Sequence, residues 1–248
     1  MRVFSAPMPD ATAAIILIGD EILSGKVRDE NALLLIGELR ELGVALRRLV
    51  VVPDDVDDIA GAVGAASARF DHVFTSGGVG PTHDDRTMAG VAQAFGLPLV
   101  RHPELEAQLR AFYGAACEER HLRMAEVPAG VALLTTDQVL WPAVSLRNVY
   151  ILPGIPALFR RKFMALKERF RQAPFHLRAV VTRADEGHIA GRLDRVAADF
   201  PEVAIGSYPR HVDGRWLVRV TLEGKERARV DQATSELVAA LGDVEHVE

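Results

Sequence analysis

The central motif of this chain is Thr75-Ser76-Gly77-Gly78-Val79-Gly80-Pro81-Thr82-His83-Asp84-Asp85-Arg86-Thr87. It follows the apolar residues Val73 and Phe74, which predict the end of a buried strand, and it precedes Met88 to Phe95, which predict a helix. A glycine-rich turn from a strand into a helix gives backbone N–H groups room to approach a phosphate, and the helix N-terminus adds positive partial charge. The motif therefore predicts an anion-binding loop. The adjacent carboxylates of Asp84 and Asp85 raise the hypothesis of a metal that bridges them to a polyphosphate.

Strands and helices alternate on the N-terminal side of this loop. Strands are predicted at 13–18, 46–52 and 72–75, with helices after Asp29-Glu30-Asn31 and at 56–69. This alternation predicts a parallel sheet with helices on both faces. In such sheets ligands bind beyond the carboxyl ends of the strands, so Asp20, Asp54 and the glycine loop should share one edge.

The pattern changes in the second half of the chain. Helices are predicted at 87–95, from Pro103 toward Tyr113 and at 157–170, and a strand at 149–152, whereas 115–141 has no clear assignment. After Gln172 the predicted order is strand, helix, strand, strand, helix, with strands at 175–182, 203–208 and 216–223. Asp213-Gly214 predicts a hairpin turn. We therefore expect an N-terminal tail at 1–12, an α/β domain at 13–172 and a small α+β module at 173–248.

The composition is typical of a globular protein with a small-molecule ligand. The chain has 248 residues, of which 49% are hydrophobic and 25% charged. The net charge of -5 argues against a dedicated nucleic-acid binder. Cys117 is the only cysteine, which excludes an intrachain disulfide. Residues 1–12 do not resemble a signal peptide, and no apolar run approaches the roughly 20 residues needed to span a bilayer. We therefore expect a cytoplasmic protein without nucleic-acid or membrane partners.

Three motifs resemble the molybdopterin-binding domain family, which is shared by molybdenum-cofactor biosynthesis proteins and CinA-like proteins. They are Gly19-Asp20-Glu21-Ile22-Leu23-Ser24-Gly25, Asp29-Glu30-Asn31 and the loop from Ser76 to Thr87. Within the loop, Gly78-Val79-Gly80-Pro81-Thr82-His83-Asp84-Asp85 matches the form typical of the CinA branch. The resemblance implies a three-layer α/β domain that binds a phosphorylated pterin or an adenine dinucleotide and forms a homo-oligomer, a dimer or a trimer.

Two later stretches resemble the molybdopterin-binding-like region of eukaryotic FAD synthases. They are Asn148-Val149-Tyr150-Ile151-Leu152-Pro153-Gly154-Ile155-Pro156 and Gly206-Ser207-Tyr208-Pro209. The chain departs from the CinA-like pattern at Leu122 to Pro128, where Arg123 stands for the family lysine. This departure leaves the identity of the substrate open.

The resemblance implies two classes of activity. CinA-like relatives imply cleavage of a pyrophosphate bond in FAD-type or ADP-ribose-type substrates with a divalent metal of the Mg, Mn or Co type. Cofactor-assembly relatives imply molybdopterin adenylylation or molybdate insertion, with acids at positions that match Asp54 and Asp85. We expect the first activity, with molybdenum-cofactor biosynthesis and non-catalytic ligand binding as alternatives.

The candidate site residues come from the loop and from neighbouring strand ends. The catalytic candidates are Asp54, His83, Asp84 and Asp85, of which Asp84 and Asp85 are the expected metal ligands. The ligand-binding candidates are Gly19, Asp20, Glu21, Asn31, Ser76, Gly77, Gly78, Gly80, Pro81, Thr82, Thr87, Pro153 and Gly154.

Structural roles compete with these assignments at several positions. The glycines of the loop could only permit close packing. Asp85 could cap the helix that begins near Thr87, and Asn31 could cap its own helix. His83 could be a phosphate contact, a general acid or an exposed loop histidine.

Overall fold

The structure is a computed structural model that describes residues 11–136, 139–212 and 214–248. The chain forms two compact units, and the boundary lies between Gln172 and Ala173. This is the position at which the sequence pattern changes from α/β to α+β.

The first unit is an α/β domain. In chain order its elements are β1 (Thr12–Ile18), α1 (Asp20–Leu23), α2 (Asn31–Glu41), β2 (Ala45–Val52), α3 (Val56–Ser67), β3 (His72–Ser76), α4 (Thr87–Ala94), β4 (Leu99–Arg101), α5 (Pro103–Tyr113), α6 (Glu119–Leu122), β5 (Glu126–Pro128), β6 (Ala132–Thr136), β7 (Val139–Leu146), β8 (Val149–Leu152) and α7 (Pro156–Leu166). The main sheet has the strand order β2-β1-β3-β8-β7-β6. Strands β2, β1, β3 and β8 are parallel, whereas β7 and β6 are antiparallel to their neighbours. The predicted mostly parallel sheet is confirmed.

Strand β1 lies at the centre of this domain because both of its faces are buried. Ala14, Ile16 and Ile18 pack into a core with residues of α3 and α5. The alternate residues, including Ile15 and Leu17, pack into a second core with residues of α2 and α7. Each fully buried large apolar side chain contributes about 1.5–3 kcal/mol through the hydrophobic effect. Helices thus cover both faces of the sheet, which gives three layers and fixes the position of the carboxyl end of β1.

The structure differs from the prediction in two segments of the first unit. The region 115–141, which had no assignment, contains α6, β5, β6 and the start of β7. The helix predicted at 157–170 is α-helical only to Leu166 and continues as a 3-10 turn over Lys167–Phe170.

The second unit has the order β9 (His176–Thr182), α8 (Glu186–Asp199), β10 (Ala204–Val212), β11 (Arg215–Gly224), α9 (Arg227–Leu241) and β12 (His246–Val247). Its antiparallel sheet has the order β10-β11-β9-β12. Side chains of α8 and α9 share one core with Val218, Val220 and Leu222 of β11. The predicted α+β module is confirmed, with β12 as an additional strand. The hairpin pairs Val212 with Arg215, and Asp213 of the predicted turn lies outside the described residues.

Within residues 11–136, 139–212 and 214–248, no helix is long and apolar enough to cross a bilayer.

Candidate functional site

Four strand ends meet at one edge of the main sheet. The Gly19 N–H, just after β1, donates to the Val52 carbonyl at the end of β2 over 3.2 Å. The Gly77 N–H, just after β3, donates to the Leu152 carbonyl at the end of β8 over 3.2 Å. The Asp20 N–H donates to the Asp54 carboxylate over 3.0 Å. Asp20, Asp54 and the glycine loop therefore share the edge that the parallel topology predicts.

Asn31 links two of these strand ends. Its buried side-chain amide donates to the Ser76 hydroxyl over 2.9 Å and to the Gly154 carbonyl over 2.8 Å. The interpretation of Asn31 as a helix cap is wrong, because α2 already includes this residue and the Asp29 carboxylate accepts from the Ala32 N–H instead. Asn31 therefore positions Ser76 and Gly154 relative to each other.

We expect Asn31→Ala to lower the free energy of unfolding by about 1–3 kcal/mol, because it leaves buried polar groups without a hydrogen-bond partner. Thermal unfolding followed by circular dichroism measures this loss. The matched control is Asp29→Ala, which removes only a helix cap and should cost about 1 kcal/mol. A loss of less than about 1 kcal/mol in Asn31→Ala would contradict the linking role of Asn31.

The glycine loop is tightly packed against its surroundings. Gly77 and Gly78 have φ angles of +111° and +60°, which favour glycine over other residues. The Thr87 hydroxyl donates to the Gly77 carbonyl over 2.8 Å, and the Thr87 N–H donates to the Gly78 carbonyl over 3.0 Å. A Cβ atom on Gly78 would lie 2.5 Å from the Thr87 hydroxyl oxygen. Close packing therefore accounts for both glycines.

The same loop also has the features of an anion site. Among the described residues, the N–H groups of Gly78 and Val79 have no hydrogen-bond partner. They lie between the end of β3 and the start of α4, where helix N–H groups add positive partial charge. Packing and anion binding are thus compatible uses of these glycines.

The Asp85 side chain is hydrogen-bonded to other residues of its own loop. Its carboxylate accepts hydrogen bonds from the Gly80 N–H over 2.6 Å and from the Thr82 N–H over 2.8 Å, and also from the Thr82 hydroxyl. Helix α4 begins after Arg86 without a side-chain cap, so the interpretation of Asp85 as a helix cap is wrong. Asp85 instead fixes the shape of the segment that contains Pro81.

Several carboxylates lie close enough to Asp54 to affect its pKa. Partial burial raises the pKa of Asp54 above its usual range, the hydrogen bond from the Asp20 N–H acts in the opposite direction, and the negative charges of Glu21, Asp20 and Asp84 raise it further. Asp84 is 62% exposed, and the neighbouring His83 is 92% exposed. The edge therefore carries negative charge that a bound cation would neutralise.

The residues present fit a divalent metal only if a bound phosphate supplies some of the oxygen atoms that coordinate it. Within the described part of the chain, no group of three or more His, Cys, Asp or Glu side chains could hold a metal ion. Mg²⁺ is commonly bound by one or two carboxylates together with substrate phosphates and water. Asp54 and Asp84 are two carboxylates at this edge whose charges interact. Because Asp85 is engaged in the loop, the pair Asp84 and Asp85 as joint ligands stays a prediction.

A cavity of about 220 Å³ opens beside the loop. Its apolar wall includes Val79, Met88, Leu99 and Met124, and its polar lining includes Thr82, His83, Asp85, Arg123 and Glu126. Met124, Arg123 and Glu126 come from the region for which the sequence predicted no structure. The sequence indicated Arg123 only because it stands at the position of the family lysine. The short turns of 114–125 have no hydrophobic periodicity from which their structure could be predicted.

Arg123 is the cation of this cavity. It is exposed, and in the ranges that the structure describes it makes no ion pair, although its charge acts on Glu119 at longer range. Glu126 is engaged with Arg101 over 3.2 Å, and Arg101 also contacts Glu119. Arg123 is therefore available to a phosphate that binds at the loop.

The family comparison agrees with this geometry. A family model described as a probable molybdopterin binding domain matches residues 14–172. The chain belongs to this molybdopterin-binding domain family. A second model, described as the FAD synthase middle domain, matches residues 174–248, so the two compact units correspond to two family matches.

Several relatives align with most of this chain. A protein from Archaeoglobus fulgidus is 34% identical over 92% of this chain and 97% of its own length. A probable FAD synthase from Caenorhabditis briggsae is 35% identical over 86% of this chain, but the match covers only 46% of that protein. A CinA-like protein from Syntrophobacter fumaroxidans is 31% identical over 95% of this chain and 58% of its own length.

A solved structure supports the fold of the first unit. The crystal structure of the protein CinA, of unknown function, from Thermoplasma acidophilum has a TM-score of 0.60 and 31% identity. The match covers 65% of this chain and 98% of that structure. The chain is thus a CinA-like member of the molybdopterin-binding domain family with FAD synthase-like relatives.

Proposed function

We propose that the first unit binds a phosphorylated pterin or an adenine dinucleotide and hydrolyses a pyrophosphate bond with a divalent metal. The observation that carries this proposal is the juxtaposition of an anion-binding loop, a carboxylate with a raised pKa and a half-apolar cavity at one sheet edge. The similarity to CinA-like proteins and probable FAD synthases supports the same ligand classes.

The site would bind two chemically different parts of the ligand, its phosphate groups and its planar ring. The N–H groups of Gly78 and Val79 and the guanidinium of Arg123 would bind phosphate oxygens, because charge-assisted hydrogen bonds to phosphate are strong and specific. The apolar wall formed by Met88, Leu99 and Met124 would pack against a planar ring, since methionine adapts to flat aromatic surfaces. This arrangement would orient the pyrophosphate toward Asp54.

Asp54 is best suited to hold a divalent metal together with Asp84, because the nearby negative charges of Glu21, Asp20 and Asp84 favour a cation there. The attacking water would lose its proton to solvent, and its oxygen would form a bond to one phosphorus atom. The bridging P–O bond would break, and the second phosphate would leave with its bond electrons. A divalent metal, when bound by Asp54 and Asp84 with the phosphate oxygens, would neutralise charge on the pyrophosphate.

Hydrolysis is tested directly with FAD and ADP-ribose in the presence of Mg²⁺, Mn²⁺ or Co²⁺. We expect release of AMP from at least one substrate. Absence of turnover with both substrates and all three metals would remove the hydrolase proposal.

Arg123→Gln tests the role of the cavity cation. We expect KM to rise by roughly 10- to 150-fold, because charged hydrogen bonds contribute about 1.5–3 kcal/mol, with kcat changed less than about threefold. The matched control is Arg160→Gln on α7, which removes an exposed arginine away from the cavity. A similar KM for wild type and Arg123→Gln would show that Arg123 does not bind the substrate.

Molybdenum-cofactor biosynthesis is the second candidate function, because the family match itself favours it. A pterin that copurifies with the protein, detected by its fluorescence, would support this function. Unchanged molybdoenzyme activity after deletion of the gene would count against it.

We also infer a homo-oligomer, a dimer or a trimer, in the cytoplasm. The large apolar side chains of Leu33 and Ile36 on α2 are 71% and 42% exposed, which supports an interface on this helix.

A further inference from the structure

The second unit has one sheet face that its helices do not use. Val218 and Val220 of β11 face the core that contains α8 and α9. Arg219, between them, therefore faces the other way. Tyr208 of β10 pairs directly with Arg219, and residues directly opposite in antiparallel strands share a face. Tyr208 thus lies on the face away from the helices.

The Tyr208 ring lies along β10 above Gly206. A Cβ atom on Gly206 would lie 2.7 Å from the Tyr208 hydroxyl oxygen and 3.0 Å from the ring carbon Cε2. Gly206 is not among the glycines with positive φ, so its backbone conformation would accept other residues. Space for the ring is therefore the structural reason for glycine at this position. Tyr208 is nevertheless 52% exposed, which leaves the outer face of the ring open.

Arg210 supplies a cation on the same face. It follows Tyr208 by two residues, which corresponds to about 7 Å along a strand. Arg210 is exposed and makes no ion pair in the portion of the chain that the structure describes, and its charge acts on Glu248 only at longer range. Arg219, by contrast, is held by Glu248 over 2.5 Å. Arg210 is therefore the arginine that can meet an anionic ligand.

We propose that Tyr208 and Arg210 form a binding site for a planar aromatic ring that carries a phosphate group, as in a mononucleotide. An aromatic side chain with an open face stacks on such rings, and a nearby arginine binds the phosphate. The site lies wholly in the second unit and is independent of the function proposed for the first.

A small ligand fits this face better than a nucleic-acid strand. A strand needs a series of basic residues along its path, whereas the net charge of the chain is -5. On the same face, Arg219 is already neutralised by Glu248. The Tyr208 ring and the Arg210 guanidinium match one base and one phosphate.

Quenching of flavin fluorescence tests this site in the full-length protein. The probe is flavin mononucleotide, whose emission falls when its ring stacks on tyrosine. We expect saturable quenching in wild type. Tyr208→Leu should raise the Kd by roughly 5- to 150-fold, and Tyr208→Phe should keep the Kd within about threefold. Arg210→Gln should weaken binding of flavin mononucleotide but leave binding of riboflavin, which lacks the phosphate, unchanged.

A control variant distinguishes binding at this face from binding elsewhere on the protein. Arg195→Gln removes an exposed arginine from α8, on the opposite side of the sheet, and should change nothing. Circular dichroism establishes that each variant is folded. Unchanged quenching in Tyr208→Leu would overturn the proposal, as would equal effects of Arg210→Gln on both flavins. Tighter Tyr208-dependent binding of a single-stranded oligonucleotide would also overturn it and assign the face to nucleic acid.

Discussion

Gly77→Ala is expected to lower the free energy of unfolding of the first unit by about 2–6 kcal/mol. Two effects add. The φ angle of +111° strains any residue with a Cβ atom, at a cost of roughly 1–3 kcal/mol. The new Cβ atom would also lie 2.1 Å from the Ile18 carbonyl oxygen at the end of β1, and such overpacking costs about 1–3 kcal/mol. Because the contact is with backbone, a side-chain rotation cannot relieve it.

Thermal unfolding measures this effect against a matched glycine. Gly61 lies on the exposed side of α3, and a Cβ atom there would meet nothing within 4 Å. Gly61→Ala should therefore stabilise the helix by up to about 1 kcal/mol. Glycine to alanine should thus lower the free energy of unfolding at position 77 and raise it at position 61. A Gly77→Ala variant as stable as wild type would contradict the close approach of the loop to β1.

The sequence alone predicts only part of the geometry that makes Gly77→Ala destabilising. The apolar run of β1 and the alternation of strands and helices were sufficient to predict the parallel sheet and the edge shared by Asp20 and Asp54. Periodicity gives this information because buried parallel strands are continuous apolar runs. It does not give the distance from Gly77 to Ile18, which depends on how two strand ends pack.

Individual side-chain roles were harder to predict for the same reason. Asn31 and Asp85 are residue types that often cap helices, but Asn31 donates to Ser76 on a distant strand, and Asp85 accepts from the Gly80 N–H within its own loop. The cavity wall at Met124 was not predictable, because the short turns before β5 have no periodicity. Local patterns thus locate the edge, and long-range contacts assign the roles within it.

Asp54→Asn is expected to raise the stability of the ligand-free protein while reducing turnover. The substitution removes one of several negative charges around Asp20, Glu21 and Asp84 and keeps an oxygen that can accept from the Asp20 N–H. The gain should be at most about 1 kcal/mol, because interactions between partly exposed charges are weak. If Asp54 holds the metal, turnover should fall by more than about tenfold, because the charge on the pyrophosphate is then no longer neutralised.

The pH dependence of this gain follows from the raised pKa of Asp54. A carboxyl group whose pKa is higher in the folded state than its usual value of 3.8 stabilises the fold when protonated. That contribution is fully present below the usual pKa and is lost as the pH rises through the raised pKa. The difference in Tm between Asp54→Asn and wild type should therefore be small near pH 4 and reach its full size at neutral pH.

Added divalent metal should reverse the order of stability at neutral pH. A metal ion that binds only the folded protein raises Tm in proportion to its affinity. If Asp54 is a ligand, Mn²⁺ together with a pyrophosphate-containing ligand should raise the Tm of wild type and leave that of Asp54→Asn nearly unchanged. The control variant is Asp55→Asn, which affects the neighbouring cap of α3 but not the edge. Equal metal responses in wild type and Asp54→Asn would place the metal elsewhere, and a Tm gap that does not grow between pH 4 and pH 7 would contradict the raised pKa of Asp54.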